Sequence, residues 1–419
     1  MRKRKMKNRS LIAVSLVLML ALAEPFCTFA ESAEGTGTPT PEEEYHTEAY
    51  DDPAQTDALK NWPKGPSIEA AAAVVIDLDN GGILYSKNAD TRLYPASITK
   101  ILTCLLACES LDMDRVFEMS ESAAFGIEPG SSSIYGDAGE IFTVEQAMMG
   151  LMLESANEMA LILGELSCGS VKKFVEKMNA RARAIGCVRT HFNNPNGLPD
   201  EHHYTTAGDM AKICYACWVN PMFRRFVTTA TYQIPPTNKQ PETRYLQNHH
   251  RMMQGRDHAY EGVLGGKTGY TMAAGNTLVT FAKRDNLSVA VALLGGIDGG
   301  WSDTAALLDY AFDNFNKAAM WNLPRDMDSI KNKKLPCEKY ILRNLGDVRP
   351  FYTTEYRVYV TIPKTIKATE VKRKAALIRN AAGMPYLINQ YYYEGHPVGT
   401  VKVYERKIMN DLLIRDPFG

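Results

Sequence analysis

Three short stretches of this chain carry side chains that could act together on an acyl group. "YPASITKILT" holds Ser97 and, three positions on, Lys100. "ESANE" holds Ser155 and Asn157, and "GGKTGYT" holds Lys267, Thr268, Gly269 and Tyr270. A serine hydroxyl is a poor nucleophile until a base takes its proton. Residues i and i+3 share one helix face, so if Ser97 opens a helix the Lys100 amine lies within reach. The free N–H groups of a helix start favour developing negative charge, and the N–H of Ser97 could form half of an oxyanion hole. As a base, Lys100 must be neutral. Bringing its pKa from about 10.4 to about 7 requires about 4 kcal/mol of burial and neighbouring positive charge.

Each signal has a plainer reading. Ser97 could be a helix N-cap and nothing more. Ser155 and Asn157 could mark a helix break, and Gly265, Gly266 and Gly269 could reflect close backbone packing. A second S-x-x-K at Ser170–Lys173 is treated as coincidence, and Ser86-Lys87-Asn88 also fits S-x-N. K-T-G occurs once. The force lies in order and setting: Ser155 stands 58 residues after Ser97, and Lys267 another 112 on.

These residues need a frame. "AAAAVVIDLDNGGILYSKN" reads as a hairpin turning at Asp79–Gly82, and "NTLVTFAKRDNLSVAVALLGG" as another turning at Lys283–Asn286. "SITKILTCLLACESL" has helical apolar spacing. Thr143 and Gln146 form a capping box that opens a further helix. "SDTAALLDYAFDNF" is amphipathic, with Ser302 as its expected N-cap. Strands at both ends of a helical middle predict an α+β fold, an antiparallel sheet with helices packed on it. Composition shifts near Arg325. "YRVYVTIP" and "GTVKVYER" then alternate as strands, which predicts a small β-rich domain over 325–419.

The N-terminus reads as an address. Six basic residues in "MRKRKMKNRS" precede the uncharged run "LIAVSLVLMLALA", with small residues at Ala21, Ala23 and Ala30. This pattern predicts a signal peptide over 1–30, an uncleaved anchor being the alternative. Cleavage there removes six bases and one acid and takes the net charge from −1 to −6. Residues 31–63 are expected to be an acidic disordered linker, since Glu31–Asp57 holds nine acids and neither Lys nor Arg. Neither the net charge nor any motif supports nucleic-acid binding. Of eight cysteines one lies in the signal, and the remaining seven, an odd number, are read as buried free thiols and not as a disulfide framework or metal site. The adjacent pairs His202-His203 and His249-His250 lack the i,i+4 spacing of a zinc peptidase. No G-x-S-x-G elbow is present.

Taken together with "AAVVIDLDNGGILYSKNADTRLYPASITKILT", "NNPNGLP", "HHYTTAGDMAKI" and the run from Gly262 to Gly296, the three motifs resemble the serine D-Ala-D-Ala carboxypeptidases, the low-molecular-weight penicillin-binding proteins. The likeness covers about Ile68–Asn316. It implies a transpeptidase-like domain over 64–324, with helices on both sides of the sheet and an all-helical subdomain. It also implies roles. Ser97 attacks the bond between two D-alanines of a peptidoglycan stem peptide. Lys100 takes the proton, and Ser155 with Asn157 relays one to the leaving amine. Lys267 supports the charge network, Thr268 binds the terminal carboxylate, and the Tyr270 N–H completes the oxyanion hole beside Gly269. No metal or organic cofactor is implied, and β-lactams would acylate the same serine. The expected place is extracytoplasmic, either released or held at the membrane's outer face through the N-terminus. Many relatives end in a membrane-lying amphipathic helix, and no such segment is found in this sequence. A β-lactamase and a non-catalytic peptidoglycan-binding protein are the alternatives.

Overall fold

The computed structural model of the chain describes residues 46–322, 351–352, 357–379 and 385–405. The expected signal peptide, the linker up to Tyr45, and Cys27 and Cys337 lie outside the described residues.

Two apolar runs of opposite direction open the fold. β1 (Ala72–Asp77) and β2 (Ile83–Lys87) form the expected hairpin. A 3-10 turn, Ala96–Thr99, leads into α1 (Lys100–Ser110). The helical middle then folds with a ribbon of β3 (Val116–Glu118) and β4 (Ile141–Thr143), between which α2 (Glu121–Phe125) is inserted. Next come α3 (Val144–Leu153), α4 (Asn157–Cys168), α5 (Val171–Ile185), α6 (Ala207–Trp218) and α7 (Pro221–Thr228). The Thr143/Gln146 capping box is present in full. A second ribbon, β5 (Thr231–Ile234) with β6 (Arg244–Gln247), returns the chain to the sheet. β7 (Val263–Thr271), β8 (Gly275–Arg284) and β9 (Leu287–Gly296) follow, then α8 (Trp301–Asn314). The main sheet is antiparallel, in the order β2-β1-β9-β8-β7.

Strand alternation builds two cores. Val74, Ile76, Phe281, Ala290 and Ala292 face the helical subdomain, where they meet side chains of α1, α3, α4, α6 and α7. Val75, Leu278, Val289, Val291 and Leu293 face the other way, onto Leu307, Leu308 and Ala311 of α8. This is the expected α+β architecture with helices on both sides.

Beyond α8, β10 (Phe315–Asn322) pairs with β12 (Arg357–Pro363). A second sheet has the order β11-β15-β14-β13, from β11 (Phe351–Tyr352), β13 (Lys372–Arg379), β14 (Pro385–Tyr393) and β15 (His396–Glu405). "YRVYVTIP" and "GTVKVYER" are therefore strands. The boundary expected at 325 falls too late, because Phe315 already begins a strand that pairs with β12.

Two local expectations are corrected. Ser302 is not the cap of α8. The chain enters that helix through Gly299 and Gly300, both at positive φ, and Gly300 occupies the cap position without a side-chain bond. Residues 46–63 are not a free linker. Trp62 is buried against Phe315, Tyr393 and His396, and its Nε1 donates to the Leu84 carbonyl at 3.0 Å. Ala54 and Thr56 are buried too, and His46 and Thr47 are tied to the Glu69 carboxylate. A few well-packed side chains outweigh the acidic composition.

Among the described residues six cysteines are free thiols; Cys104, Cys187, Cys214 and Cys217 are buried, while Cys108 and Cys168 are half-buried. Among the described residues no helix is long and apolar enough to cross a membrane.

Candidate active site

Ser97 sits in the 3-10 turn one step ahead of α1, and Lys100 is the first residue of that helix. Neither the turn nor α1 has a side-chain cap, so the plain N-cap reading of Ser97 fails. Its Oγ instead lies 2.9 Å from the Lys100 Nζ. The same amine reaches the Asn157 Oδ1 at 2.7 Å and the Asn196 carbonyl at 2.6 Å. A neutral amine has two N–H bonds and one lone pair. The two carbonyl oxygens can only accept, so they take both N–H bonds. The lone pair then points to the Ser97 hydroxyl, the arrangement a general base requires. Burial pushes Lys100 well below the ordinary amine range; Lys267 adds to this and Glu158 opposes it.

Three further elements hold the Ser97 turn. Thr277 of β8 donates from Oγ1 to the Pro95 carbonyl at 2.8 Å. His203 contacts the Thr99 Oγ1 through Nε2 at 2.8 Å and accepts the Asn193 N–H at Nδ1. Accepting at Nδ1 leaves the hydrogen on Nε2, and burial lowers this ring to about 4, so it stays neutral. The "NNPNGLP" loop presses on the turn from the same side. Gly197 has φ +93°, and a Cβ there would stand 1.9 Å from the Ala96 carbonyl oxygen.

β7 forms the opposite wall. A Cβ on Gly269 would stand 2.7 Å from the Ser97 nitrogen, so only glycine permits this approach. The packing and functional readings of that glycine coincide. Lys267 is buried, pushed down to about 7 by that burial, and donates to the Thr268 carbonyl at 2.8 Å. Ser97, Ser155, Thr268, Gly269 and Tyr270 line one cleft of about 300 Å³.

Ser155 has φ +60°, and its buried Oγ has no hydrogen-bond partner among the described residues. It is not bonded to Asn157, whose side chain serves Lys100 and whose N–H donates to the Ser132 carbonyl at 2.8 Å. The competing motifs serve structure. Ser170 is the N-cap of α5, and Lys87 in β2 donates to the Ile68 carbonyl.

Several participants were missed by motif reading. Asn196 contributes only its carbonyl, which no side-chain pattern reports. Glu158 is buried and holds the Ser133 hydroxyl and the Ile134 N–H, which orders the loop beside Asn157. His249 also lines the cleft, tied to Glu154 at 2.9 Å.

Residues 59–297 match the family model described as D-alanyl-D-alanine carboxypeptidase. The chain belongs to this family. A Bacillus subtilis D-alanyl-D-alanine carboxypeptidase, DacF, is 34% identical over 272 residues, 64% of this chain and 68% of the relative. A solved Mycobacterium tuberculosis D-alanyl-D-alanine carboxypeptidase superposes with a TM-score of 0.54 at 29% identity, covering 62% of this chain and 96% of that one. A Francisella tularensis structure, D-alanyl-D-alanine carboxypeptidase DacD, shares the fold at TM-score 0.59 and 24% identity over 84% of this chain and 96% of its own.

Proposed function

We propose that this family member removes the terminal D-alanine of peptidoglycan stem peptides through an acyl-enzyme on Ser97. The observation that carries the residue assignment is the threefold hydrogen bonding of the buried Lys100 amine. Ser97 Oγ attacks the carbonyl carbon of the penultimate D-alanine while its proton passes to the Lys100 lone pair. The N–H groups of Ser97 and Tyr270 receive the oxyanion. As the C–N bond breaks, the leaving amine takes a proton through Ser155, whose hydroxyl is uncommitted. Thr268 meets the terminal carboxylate, and the depressed pKa of Lys267 beside it supports proton movement near neutral pH. Water then cleaves the ester and returns Ser97. β-Lactams acylate the same hydroxyl. Such a substrate lies outside the cytoplasmic membrane, which agrees with the basic and apolar N-terminal run as a secretion signal.

The test is the intact mass of the protein after a brief penicillin pulse, with D-alanine release from an acyl-L-lysyl-D-alanyl-D-alanine peptide measured alongside. A long-lived adduct on the wild type, absent from Ser97→Ala together with D-alanine release, is expected. An adduct that clears within seconds would replace the assignment with a β-lactamase. No adduct and no release would leave a peptidoglycan-binding protein.

A further inference from the structure

The chain builds a second concave surface beside the catalytic cleft. A pocket of about 440 Å³ lies between the segment joining α2 to β4 and the β5–β6 ribbon. The two hollows share one wall. Ser132 lines the catalytic cleft, whereas its neighbours Ser131 and Ser133 line the pocket. That wall is fastened to the catalytic residues. The Ser132 carbonyl accepts the Asn157 N–H at 2.8 Å, and Glu158 holds the Ser133 hydroxyl and the Ile134 N–H. A group seated in the pocket therefore has a fixed register against Ser97.

Two aromatic side chains line this pocket and stay open to solvent. Phe125, the last residue of α2, is 70% exposed, and Tyr135 is 85% exposed. Tyr135 has φ +58°, a strained conformation for a bulky residue, and its surroundings enforce it. Its N–H donates to the Ser133 Oγ at 2.8 Å, and its carbonyl accepts the Arg244 Nη2 at 3.1 Å. Arg244 is itself clamped on both oxygens of the buried Glu140 carboxylate, at 2.7 and 2.9 Å. The fold thus holds strain to turn out a ring that its own packing does not use. The other side chains are mixed in kind. Among the described residues the Glu128 carboxylate, the Lys239 ammonium and the Tyr135 hydroxyl have no hydrogen-bond or ion-pair partner, while Glu140 and Arg244 neutralise each other. Open aromatic faces with free donors and acceptors fit a neutral ring that has C–H faces and hydroxyl edges. A stem peptide, with its carboxylates, would meet Glu128 and Asp137 in the same space. The N-acetylated amino sugars of a glycan strand are neutral rings of this kind, and they are covalently joined to the stem. In a pentapeptide stem four residues separate the scissile bond from the sugar, a reach of up to about 14 Å. That is enough to cross a wall one backbone thick.

We propose that the pocket carrying Phe125 and Tyr135 is a saccharide subsite, which holds an N-acetylated amino-sugar ring of the glycan strand while the stem peptide of that strand occupies the catalytic cleft. This inference rests on the carboxypeptidase reading above and assigns the place of the substrate's sugar within it. Phe125 and Tyr135 are specificity residues and take no part in bond breaking.

The experiment compares a free stem pentapeptide ending in L-lysyl-D-alanyl-D-alanine with the same pentapeptide carried on the N-acetylglucosaminyl-N-acetylmuramoyl disaccharide. D-Alanine release is measured on wild type, Phe125→Ala, Tyr135→Ala and Tyr135→Trp. The wild type should favour the disaccharide form by about ten- to hundredfold in kcat/KM, expressed mainly in KM. Each alanine variant should lose about three- to tenfold of that preference and keep its rate on the free peptide within about twofold of wild type. Tyr135→Trp should retain the preference, because it keeps a ring. No preference in the wild type, an equal loss on both substrates (which would give the pocket to the stem peptide), or a tryptophan variant that behaves like alanine overturns the subsite. Saturation-transfer NMR with N,N′-diacetylchitobiose reads the pocket without catalysis. Sugar signals should appear with the wild type and vanish with the Phe125→Ala/Tyr135→Ala double variant. Sugar binding lost in that variant, with no D-alanine release by the wild type, would remove the carboxypeptidase reading and leave the saccharide contact standing. D-Alanine release with neither the preference nor sugar binding sinks the subsite alone.

Discussion

Replacing Lys267 by methionine should stabilise the fold while abolishing its chemistry, and the gain should depend on pH in a calculable way. The amine is buried, and that burial lowers its pKa from 10.5 to about 7. A depressed lysine pKa means that the unfolded chain binds more protons than the native one between these two values. Stability therefore rises with pH across that window and is lost as pH falls toward the folded pKa. For a group moving between 10.5 and about 7, the linkage relation gives a penalty of about 4 kcal/mol at pH 7 and about 2 kcal/mol at pH 9. Lys267→Met removes this penalty at both. It also loses the bond to the Thr268 carbonyl, about 1 kcal/mol, which is the same at either pH and cancels in the difference. The variant should thus gain about 2 kcal/mol more over wild type at pH 7 than at pH 9. Urea titrations of both proteins at the two pH values measure this directly. A difference that is flat with pH would mean that the folded amine titrates near its ordinary value, and the account of a cleft with neutral lysines would be wrong.

Two further perturbations test the scaffold. Gly197→Ala would place a Cβ 1.9 Å from the Ala96 carbonyl oxygen at a φ of +93°. It should lower stability by about 2–4 kcal/mol and slow penicillin acylation at least about tenfold, because the Ser97 turn and the Asn196 carbonyl both shift. Thermal melts and acylation time courses on the same sample check both effects, and an unchanged acylation rate would free the loop from its assigned role. Trp62→Ala removes the clamp between the main sheet and the C-terminal strands and should cost about 3–5 kcal/mol. Acylation of the folded fraction should stay within about threefold of wild type, since Trp62 is absent from the cleft. A negligible stability loss would restore the linker reading of this segment.

The sequence was most informative where one local rule governs a short segment. The capping box at Thr143 and the apolar runs of the two hairpins, expected to turn at Asp79–Gly82 and Lys283–Asn286, depend on nearest neighbours and were legible, although the second turn is tighter than expected because Lys283 and Arg284 still pair within the sheet. The S-x-x-K spacing likewise sets Ser97 and Lys100 one turn apart. Features made by tertiary contact were hidden. The segment from His46 to Pro63 looks solvated because its acids dominate, yet three buried side chains (Ala54, Thr56 and Trp62) decide its fate. Ser302 obeys the N-cap preference, but the two preceding glycines set the path into α8. Asn196 acts through its backbone, and His249 becomes a wall of the cleft only because the β5–β6 ribbon returns beside the end of α3. No period or motif encodes such meetings; they follow from topology.

The backbone itself carries the last part of the argument. Ala96 and Ser155 are both non-glycine residues at positive φ, +49° and +60°. A side chain in that region costs about 1–3 kcal/mol and persists only where its surroundings over-determine it. Both conditions are met here. Ala96 is fixed by the Thr277 bond to Pro95, the His203 contact with Thr99, and the pressure of Gly197 on its carbonyl. Ser155 is fixed by the Glu154 and Ala156 N–H groups, both donating to the Gly150 carbonyl, and by the Asn157 N–H on Ser132. One strained residue precedes the nucleophile, and the other is the hydroxyl assigned to the leaving group. Three separate parts of the chain (the turn before α1, the α3–α4 junction and the "NNPNGLP" loop) therefore converge on one buried amine, and β7 closes on the same turn at the Ser97 nitrogen. Relaxing any of them would leave Ser97 present but no longer aimed at its base.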